Sequence, residues 1–398
     1  MISCSKCRCC YCCCRRRCSC WTFNMLDVYN ILPHVTSLPL PFRIIGHLLR
    51  IVWMVLTTIY AIPPYLVWTF LVFPLRFFYL DFYWMIEGFL FSGLLAIISS
   101  WLITGQYQII ETGDDINYIL DENVLLIANH QSTADVPALM DLMHSKANLS
   151  KRVMWIIDST FKYTHFGLVS NLRGDFFITQ GKDARDSTLQ QLRSHLRSTF
   201  HTIPRKWLVL FPEGGFLRKR KLASQRYAKK QNLPVLENIT LPRVGAMQVI
   251  LEEMAERKTV ANNNSINNDP KFKYVVDVTI AYPKGRPLDI HGIGIGYWPP
   301  CHILMHYRIY PANKIPVDNK GLTDWMNELY IEKEKMLGNY YKHGVLLSMT
   351  DQQKRDFPRI GARQISPDLL GDLLYHTFYI VSAYIQYTVI SSILRNWW

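Results

Sequence analysis

Twenty-five consecutive residues, Ile51 to Leu75, carry no formal charge between Arg50 and Arg76. A run of that length can cross the roughly 30 Å hydrocarbon core of a bilayer, and no other feature restricts the fold more. Pro63 and Pro64 sit inside it. Consecutive prolines remove two backbone donors, which leaves a kinked or re-entrant passage open beside a straight span. A second apolar run covers Gly88 to Ile103 and reaches spanning length only when the stretch from Phe82, with Glu87, is included. The third, Leu373 to Leu394, has 22 residues without a formal charge and is followed by Arg395, Trp397 and Trp398, the flanks expected of a span.

Charge orients these runs. Lys6, Arg8, Arg15, Arg16, Arg17, Arg43 and Arg50 precede the first run, whereas the link to the second holds Arg76, Asp81 and Glu87. The positive-inside rule then places the N-terminus in the cytoplasm and, after an even number of crossings, the region 104–365 there too. The whole chain carries 44 Lys and Arg against 31 Asp and Glu, a net charge of +13 that suits an anionic partner. Of its ten cysteines, nine fall between Cys4 and Cys20. That clustering excludes a disulfide framework, and the Cys4–Cys7 pair lacks the second pair a zinc site needs, so no metal is expected. Cysteines among arginines beside apolar segments fit reversible palmitoylation or an unmodified tail.

Between the apolar runs the pattern becomes that of an α/β domain. Val124–Ala128, Val153–Ile157, Phe176–Ile178 and Trp207–Phe211 are short continuous apolar runs, as buried strands are, with a helical repeat over Asp183–Phe200 and another over Val244–Met254. Strands resume at Tyr274–Tyr282 and His302–Tyr310, and a helix follows from Thr323 to Leu337; Asn262–Asn268 reads as an exposed loop. The expected fold is α/β, a largely parallel or mixed sheet flanked by helices, with N-terminal membrane helices and a C-terminal transmembrane helix.

Two constellations follow buried strands directly, where open α/β sheets bind ligands. The first is Asn129, His130, Gln131, Ser132, Thr133, Ala134 and Asp135. His130 and Asp135 cannot share one helical face, but they meet if His130 lies on the loop and Asp135 in the first helical turn, with Ser132 or Thr133 as N-cap. The carboxylate would then fix the imidazole tautomer and make the ring a general base for a hydroxyl. The plainer alternative is a capping aspartate beside a solvated histidine. The second is Phe211, Pro212, Glu213, Gly214 and Gly215, followed by Arg218, Lys219, Arg220 and Lys221, a glycine-bearing basic loop suited to a phosphorylated ligand. The basic run also fits nucleic acid, but not beside three apolar runs and without a recognisable binding module.

His130 to Asp135 and Phe211 to Gly214 resemble the HxxxxD and FPEG boxes, about 80 residues apart, of the glycerolipid acyltransferase family. A middle motif is matched by Gly174, Asp175, Phe176, Phe177, Ile178, Thr179 and Gln180, with Gln180 where the family has arginine. Phosphate contact at that position is then expected to pass to Arg173, Lys182 or Arg185. Leu241, Pro242 and Arg243 weakly match a last element, as does Val276–Pro283, and together these segments are similar to the lysophosphatidylglycerol acyltransferase branch.

The resemblance implies transfer of an acyl group from acyl-CoA to a free glycerol hydroxyl of a lysophospholipid, with no cofactor and no nucleic-acid partner. It implies His130 as base and Asp135 as its orienter. It also implies acceptor binding at Asn129, Gly174, Phe177, Glu213, Gly214, Gly215, Arg218 and Arg243. A CoA-independent transacylase or a silent lipid-binding membrane protein would share the boxes; a serine hydrolase is disfavoured because no GxSxG occurs. The implied organisation is a tail at 1–43, a membrane-embedded helical hairpin at 44–103, the acyltransferase domain at 104–315, a helical extension at 316–366 and a transmembrane segment at 367–398. The implied setting is the endoplasmic reticulum membrane, with the catalytic domain toward the cytoplasm.

Overall fold

The computed structural model describes residues 34–146, 148–181, 183–200, 202–254, 272–344, 346 and 357–397. The Cys4–Cys20 cluster and the polar stretch 262–268 lie outside the described residues.

Strand β2 (Val124–Ala128) is apolar at every position and buried throughout, so it needs cover on both faces. Val124, Leu126 and Ala128 join one hydrophobic core, and Leu125 and Ile127 the other. Around it the described strands β1 (Tyr107–Asp114), β3 (Val153–Asp158), β4 (Phe176–Ile178), β5 (Trp207–Leu210), β6 (Tyr274–Ala281), β7 (Cys301–Pro311) and β8 (Arg359–Gln364) form one mixed sheet. Its order is β4-β3-β5-β2-β6-β7-β1-β8. The five strands from β4 to β6 are parallel, β7 runs antiparallel to β6 and parallel to β1, and β8 closes the edge antiparallel to β1. The expected α/β sheet is therefore present. The extension 316–366 is not wholly helical, because β8 lies within it, its Arg363 3.1 Å from Glu111 of β1.

The three apolar runs are long helices: α1 (Leu40–Val72), α2 (Leu80–Thr104) and, at the C-terminus, α10 (Leu369–Trp397). Helix α1 passes through Pro63 and Pro64 as one element. Proline's fixed φ is helical, so the prolines cost two backbone hydrogen bonds without ending the helix. All three are long and apolar enough to cross a membrane, yet 78% of the most apolar window of α2 is buried inside the protein, against 11% in α1 and α10. Polar side chains of the α/β body meet α2 along its length. Glu87, fully buried, lies 2.6 Å from Arg173 and 3.1 Å from Arg205 and accepts from the Tyr65 hydroxyl of α1. Ser92 meets Ser150 at 2.8 Å and Ser99 meets Asp141 at 2.5 Å. Helix α2 covers the sheet together with α3 (Asp135–Ser145), while α1 and α10 pack on α2 from outside.

The opposite face of the sheet is covered by α5 (Arg185–His195), α7 (Val244–Met254) and α9 (Asn319–His343). Helices α4 (His165–Arg173) and α8 (Ile290–Ile295) sit in connections, and α6 (Leu217–Lys230) turns the basic run expected as a loop into a helix.

Candidate active site

Strands β5, β2 and β6 are parallel neighbours, so their C-terminal ends open on one edge of the sheet. This adjacency brings together segments distant in sequence. His130 leaves the end of β2, Phe211–Gly215 leaves β5, and Tyr282 leaves β6.

The His130 Nδ1 atom lies 2.9 Å from Asp135 Oδ2, and Asp135 is fully buried at the first position of α3. The same Oδ2 accepts the Ser132 backbone N–H at 2.9 Å, while Oδ1 accepts the Tyr282 hydroxyl at 2.7 Å. Three donors thus fix the carboxylate, and the carboxylate fixes the imidazole with Nδ1 engaged and Nε2 available. The ring stacks on Phe211 at 4.1 Å between centroids and meets Phe216 edge-on at 4.4 Å. Neither Ser132 nor Thr133 caps α3, contrary to expectation. Ser132 donates to the Leu288 carbonyl before α8 while its oxygen accepts the Ala134 N–H at 3.1 Å, and Thr133 accepts the N–H of Ile290, the first residue of α8, at 3.0 Å.

The backbone of His130 is held from both sides by the second box and the helix that follows it. Its N–H donates to Glu213 Oε1 at 2.8 Å, and its carbonyl accepts the N–H of Leu217 at 2.8 Å. Glu213 Oε2 accepts from Thr240 twice, from N–H at 3.1 Å and from the hydroxyl at 2.7 Å. With both oxygens engaged and only 1% of the residue exposed, Glu213 fastens loops together; the expected direct contact with an acceptor does not fit this geometry. Burial pushes its carboxyl up to about 7, against the pull of its Thr240 and His130 donors.

Asn129 also departs from expectation. Its amide donates to the Ile280 carbonyl at 2.9 Å and accepts the Ile280 N–H at 2.7 Å, so this fully buried side chain pairs with β6 and offers nothing to a ligand. Gly174 and Phe177 stand apart from His130. Gly174 closes α4 at φ +82°, and Phe177 lies on β4, three strand positions or about 14 Å from β2.

The glycines and arginines of the second box do converge. Gly214 and Gly215 have φ of +67° and +147°, which other residues rarely adopt. Arg243 lies against Gly214, where a Cβ would come within 3.1 Å of its Cδ, and Arg220 lies against Gly215 in the same way at 3.3 Å. Arg218 is exposed on the first turn of α6. Gln180 accepts a hydrogen bond from Arg243 Nη1, so an arginine reaches the middle motif from the chain's later segment. Of the residues expected to replace Gln180, Arg173 is buried on Glu87, Lys182 lies outside the described residues, and Arg185 begins α5. Arg220 belongs to the basic run read from sequence, whereas Tyr282 and Thr240 were not singled out there; of these two only Tyr282, at the end of a buried strand, carried a signal that could have found it.

Among the described residues no three His, Cys, Asp or Glu side chains are grouped to hold a metal ion. Similarity to known proteins agrees with the site. The family model described as Acyltransferase matches residues 107–236, and that described as Acyltransferase C-terminus matches 296–363. Acyl-CoA:lysophosphatidylglycerol acyltransferase 1 of Mus musculus is 37% identical over 351 residues, covering 86% of this chain and 93% of the relative. The protein of the same name from Homo sapiens is 38% identical over 349 residues with the same coverage. Among solved structures, the 1-acyl-sn-glycerophosphate acyltransferase PlsC from Thermotoga maritima aligns over 73% of this chain and 98% of its own at a TM-score of 0.38 and 13% identity, too distant to carry an argument. Both boxes fall within the first matched segment, and the lysophosphatidylglycerol acyltransferases are matched over nearly their whole length: the chain belongs to the glycerolipid acyltransferase family and is an O-acyltransferase.

Proposed function

We propose that this enzyme uses acyl-CoA to acylate a free glycerol hydroxyl of lysophosphatidylglycerol or a closely related lysophospholipid. The observation that carries the reading is the His130–Asp135 pair, 2.9 Å apart and fastened through the His130 backbone to Glu213 of the second box and to Leu217 at the start of α6. In this reading His130 Nε2 takes the proton as the acceptor oxygen forms a bond to the thioester carbonyl carbon. Asp135 stabilises the resulting imidazolium. The carbon–sulfur bond then breaks, the proton passes to the departing thiolate, and the products are the diacyl lipid and free CoA. The thioester supplies its own leaving group, so the scheme calls on no cofactor.

The acceptor's phosphate is assigned to the arginines at the glycine turn, Arg220 and Arg243, with exposed Arg218 beside them. Paired guanidinium groups suit phosphate recognition. The names of the mouse and human relatives support the headgroup and the donor. We place the catalytic domain on the cytoplasmic face of the endoplasmic reticulum. Helices α1 and α2 run antiparallel, with Tyr65 meeting Glu87 and Thr57 meeting Trp101, so α2 ends on the side where α1 begins with Arg43 and Arg50.

The test is purified enzyme in vesicles with a panel of lysophospholipids and acyl-CoAs, products identified by mass spectrometry. Acyl-CoA-dependent acylation of lysophosphatidylglycerol is expected, lost by a factor of about 10² to 10⁴ in His130→Ala. Product formation without acyl-CoA, or near-normal turnover in His130→Ala, would overturn the reading.

A further inference from the structure

Glu334 lies on α9, beyond the segment that matches the acyltransferase model and inside the one that matches the C-terminal model. Its carboxylate faces three successive backbone N–H groups. Glu237 N–H reaches it at 3.1 Å, Asn238 N–H at 2.8 Å and Ile239 N–H at 3.2 Å, and the Asn238 side-chain amide adds a fourth donor at 2.7 Å. Convergent amides of this kind bind anions, and here the anion is a side chain of the same protein.

The loop so anchored touches both boxes. The Asn238 carbonyl accepts from the Gln131 side chain at 2.9 Å, and the next residue but one, Thr240, supplies two of the three donors on Glu213. Glu213 in turn holds the N–H of His130. Because Thr240 follows Ile239 directly, its position along the chain is set where Glu334 grips the loop.

Helix α9 does not depend on Glu334 for its own attachment. Glu332 pairs with Arg308 of β7 at 2.5 Å, and Lys333 pairs with Asp277 of β6 at 2.7 Å and donates to the Val278 carbonyl. Glu332 and Lys333 therefore fasten the helix, and the next residue, Glu334, is directed to the loop.

We propose that Glu334 is a positioning residue for the transfer reaction, acting through the 237–240 loop and Glu213 on His130. The inference rests on His130 as the base. Besides Thr240 and the His130 backbone, the charged or titratable groups that act on Glu213 are the His130 ring, Arg220 of α6, and Tyr330, Lys333 and Tyr341 of α9. Of these, the Thr240 donors sit on the loop that Glu334 holds, and Tyr341 also feels the Glu334 charge. Losing its grip withdraws donors that favour the ionised Glu213, and the carboxylate form becomes harder to reach.

The experiment measures kcat/KM between about pH 5.5 and 9, with the thermal midpoint of each protein, for full-length wild type, Glu334→Gln, Glu334→Asp, Thr240→Val, Glu332→Gln and His130→Ala. Glu334→Gln and Thr240→Val are expected to lose about tenfold in turnover near pH 7.5 and to move the acidic limb up by about half a unit or more. Glu334→Asp, which keeps the charge, should recover part of the shift, and it stands in if the glutamine variant fails to fold. Glu332→Gln, which loses an ion pair on the same helix, should lower the midpoint and leave the limb in place. A lowered midpoint with an unmoved limb in both Glu334 variants overturns the proposal. Near-normal turnover in His130→Ala overturns the base assignment instead, so the two failures are distinguishable.

Discussion

Replacing Glu213 with glutamine tests whether this residue is a buried fastener. The side chain keeps its shape, but an amide presents donors where the carboxylate accepts. If its oxygen keeps the His130 N–H, its NH₂ faces Thr240. The Thr240 hydroxyl can rotate to accept, whereas the Thr240 N–H is left without a partner. An orphaned buried donor costs about 1–3 kcal/mol at any pH. The wild-type cost is different in kind. Burial raises the Glu213 carboxyl from 4.5 to about 7, so the folded state holds the proton more tightly than the unfolded chain. Stability from this group is complete below pH 4.5, falls as the pH rises, and is fully lost above about 7. Between about pH 5.5 and 8.5 the wild type should lose about 2 kcal/mol on this account, and the glutamine variant none. The variant is therefore clearly less stable at the acid end and close to wild type at the alkaline end. Unfolding followed against pH in detergent reads this convergence as a few degrees in the difference of midpoints. Two curves that stay parallel would refute the buried, internally bonded Glu213. So would a Glu213→Gln protein whose only defect is a raised acceptor KM.

Asn129→Ala should cost about 2–6 kcal/mol, because it strands the buried N–H and carbonyl of Ile280, and should leave both KM values unchanged in the protein that folds; calorimetry and saturation curves check the two parts. Arg243→Ala should raise the KM for lysophosphatidylglycerol about tenfold without a matching rise for acyl-CoA, and the reverse pattern in separate saturation curves would assign the glycine turn to the CoA phosphates. The exposed Asn148, first residue of an Asn-Leu-Ser sequon, should remain unglycosylated with the domain in the cytoplasm; a glycosidase-sensitive mass shift abolished by Asn148→Gln would place the domain in the lumen.

What the sequence disclosed about the site is local. Val124–Ala128 is a buried strand by composition alone, and a box directly after it falls at the ligand-binding edge of the sheet. The HxxxxD spacing brings His130 onto Asp135 because the helix starts at the aspartate. The meeting of the two boxes needs the strand order, with β5 beside β2, which neither segment encodes by itself. The same gap explains Asn129 and Glu213. Asn129 adjoins His130 in sequence and Glu213 meets its backbone in space, and only tertiary placement shows that the hydrogen bonds of both are already satisfied inside the protein. Strands β1 and β8 escaped notice for a related reason. The first alternates buried and half-buried positions with polar residues, and the second is an edge strand with a polar composition, Arg359 to Gln364.

Hydropathy also treats each apolar run as a separate element, whereas the helices divide their surfaces between protein and surroundings. Helix α10 contains polar residues that would each need a partner in hydrocarbon. Its Asp372 lies 2.6 Å from His144 of α3, His376 meets the Tyr60 hydroxyl of α1 at 2.5 Å, and Ser382 accepts from Trp68 of α1 at 3.1 Å. The two contacts with α1 advance together along both helices, so α1 and α10 run parallel, and Tyr379 donates to the Leu90 carbonyl of α2 at 2.6 Å. The other flank of α10 bears exposed Leu373, Leu374, Ile380, Val381 and Ile385, as α1 bears exposed Leu48, Val52, Val55 and Ile59. The apolar flanks of α1 and α10 are thus available to lipid, while the polar stripe of α10 faces its neighbours. Helix α2 has no such freedom. It carries Glu87 to Arg173 and Arg205 on one side and supports α1 and α10 on the other, so its hydrophobicity serves the joint between the enzyme body and its membrane-facing helices.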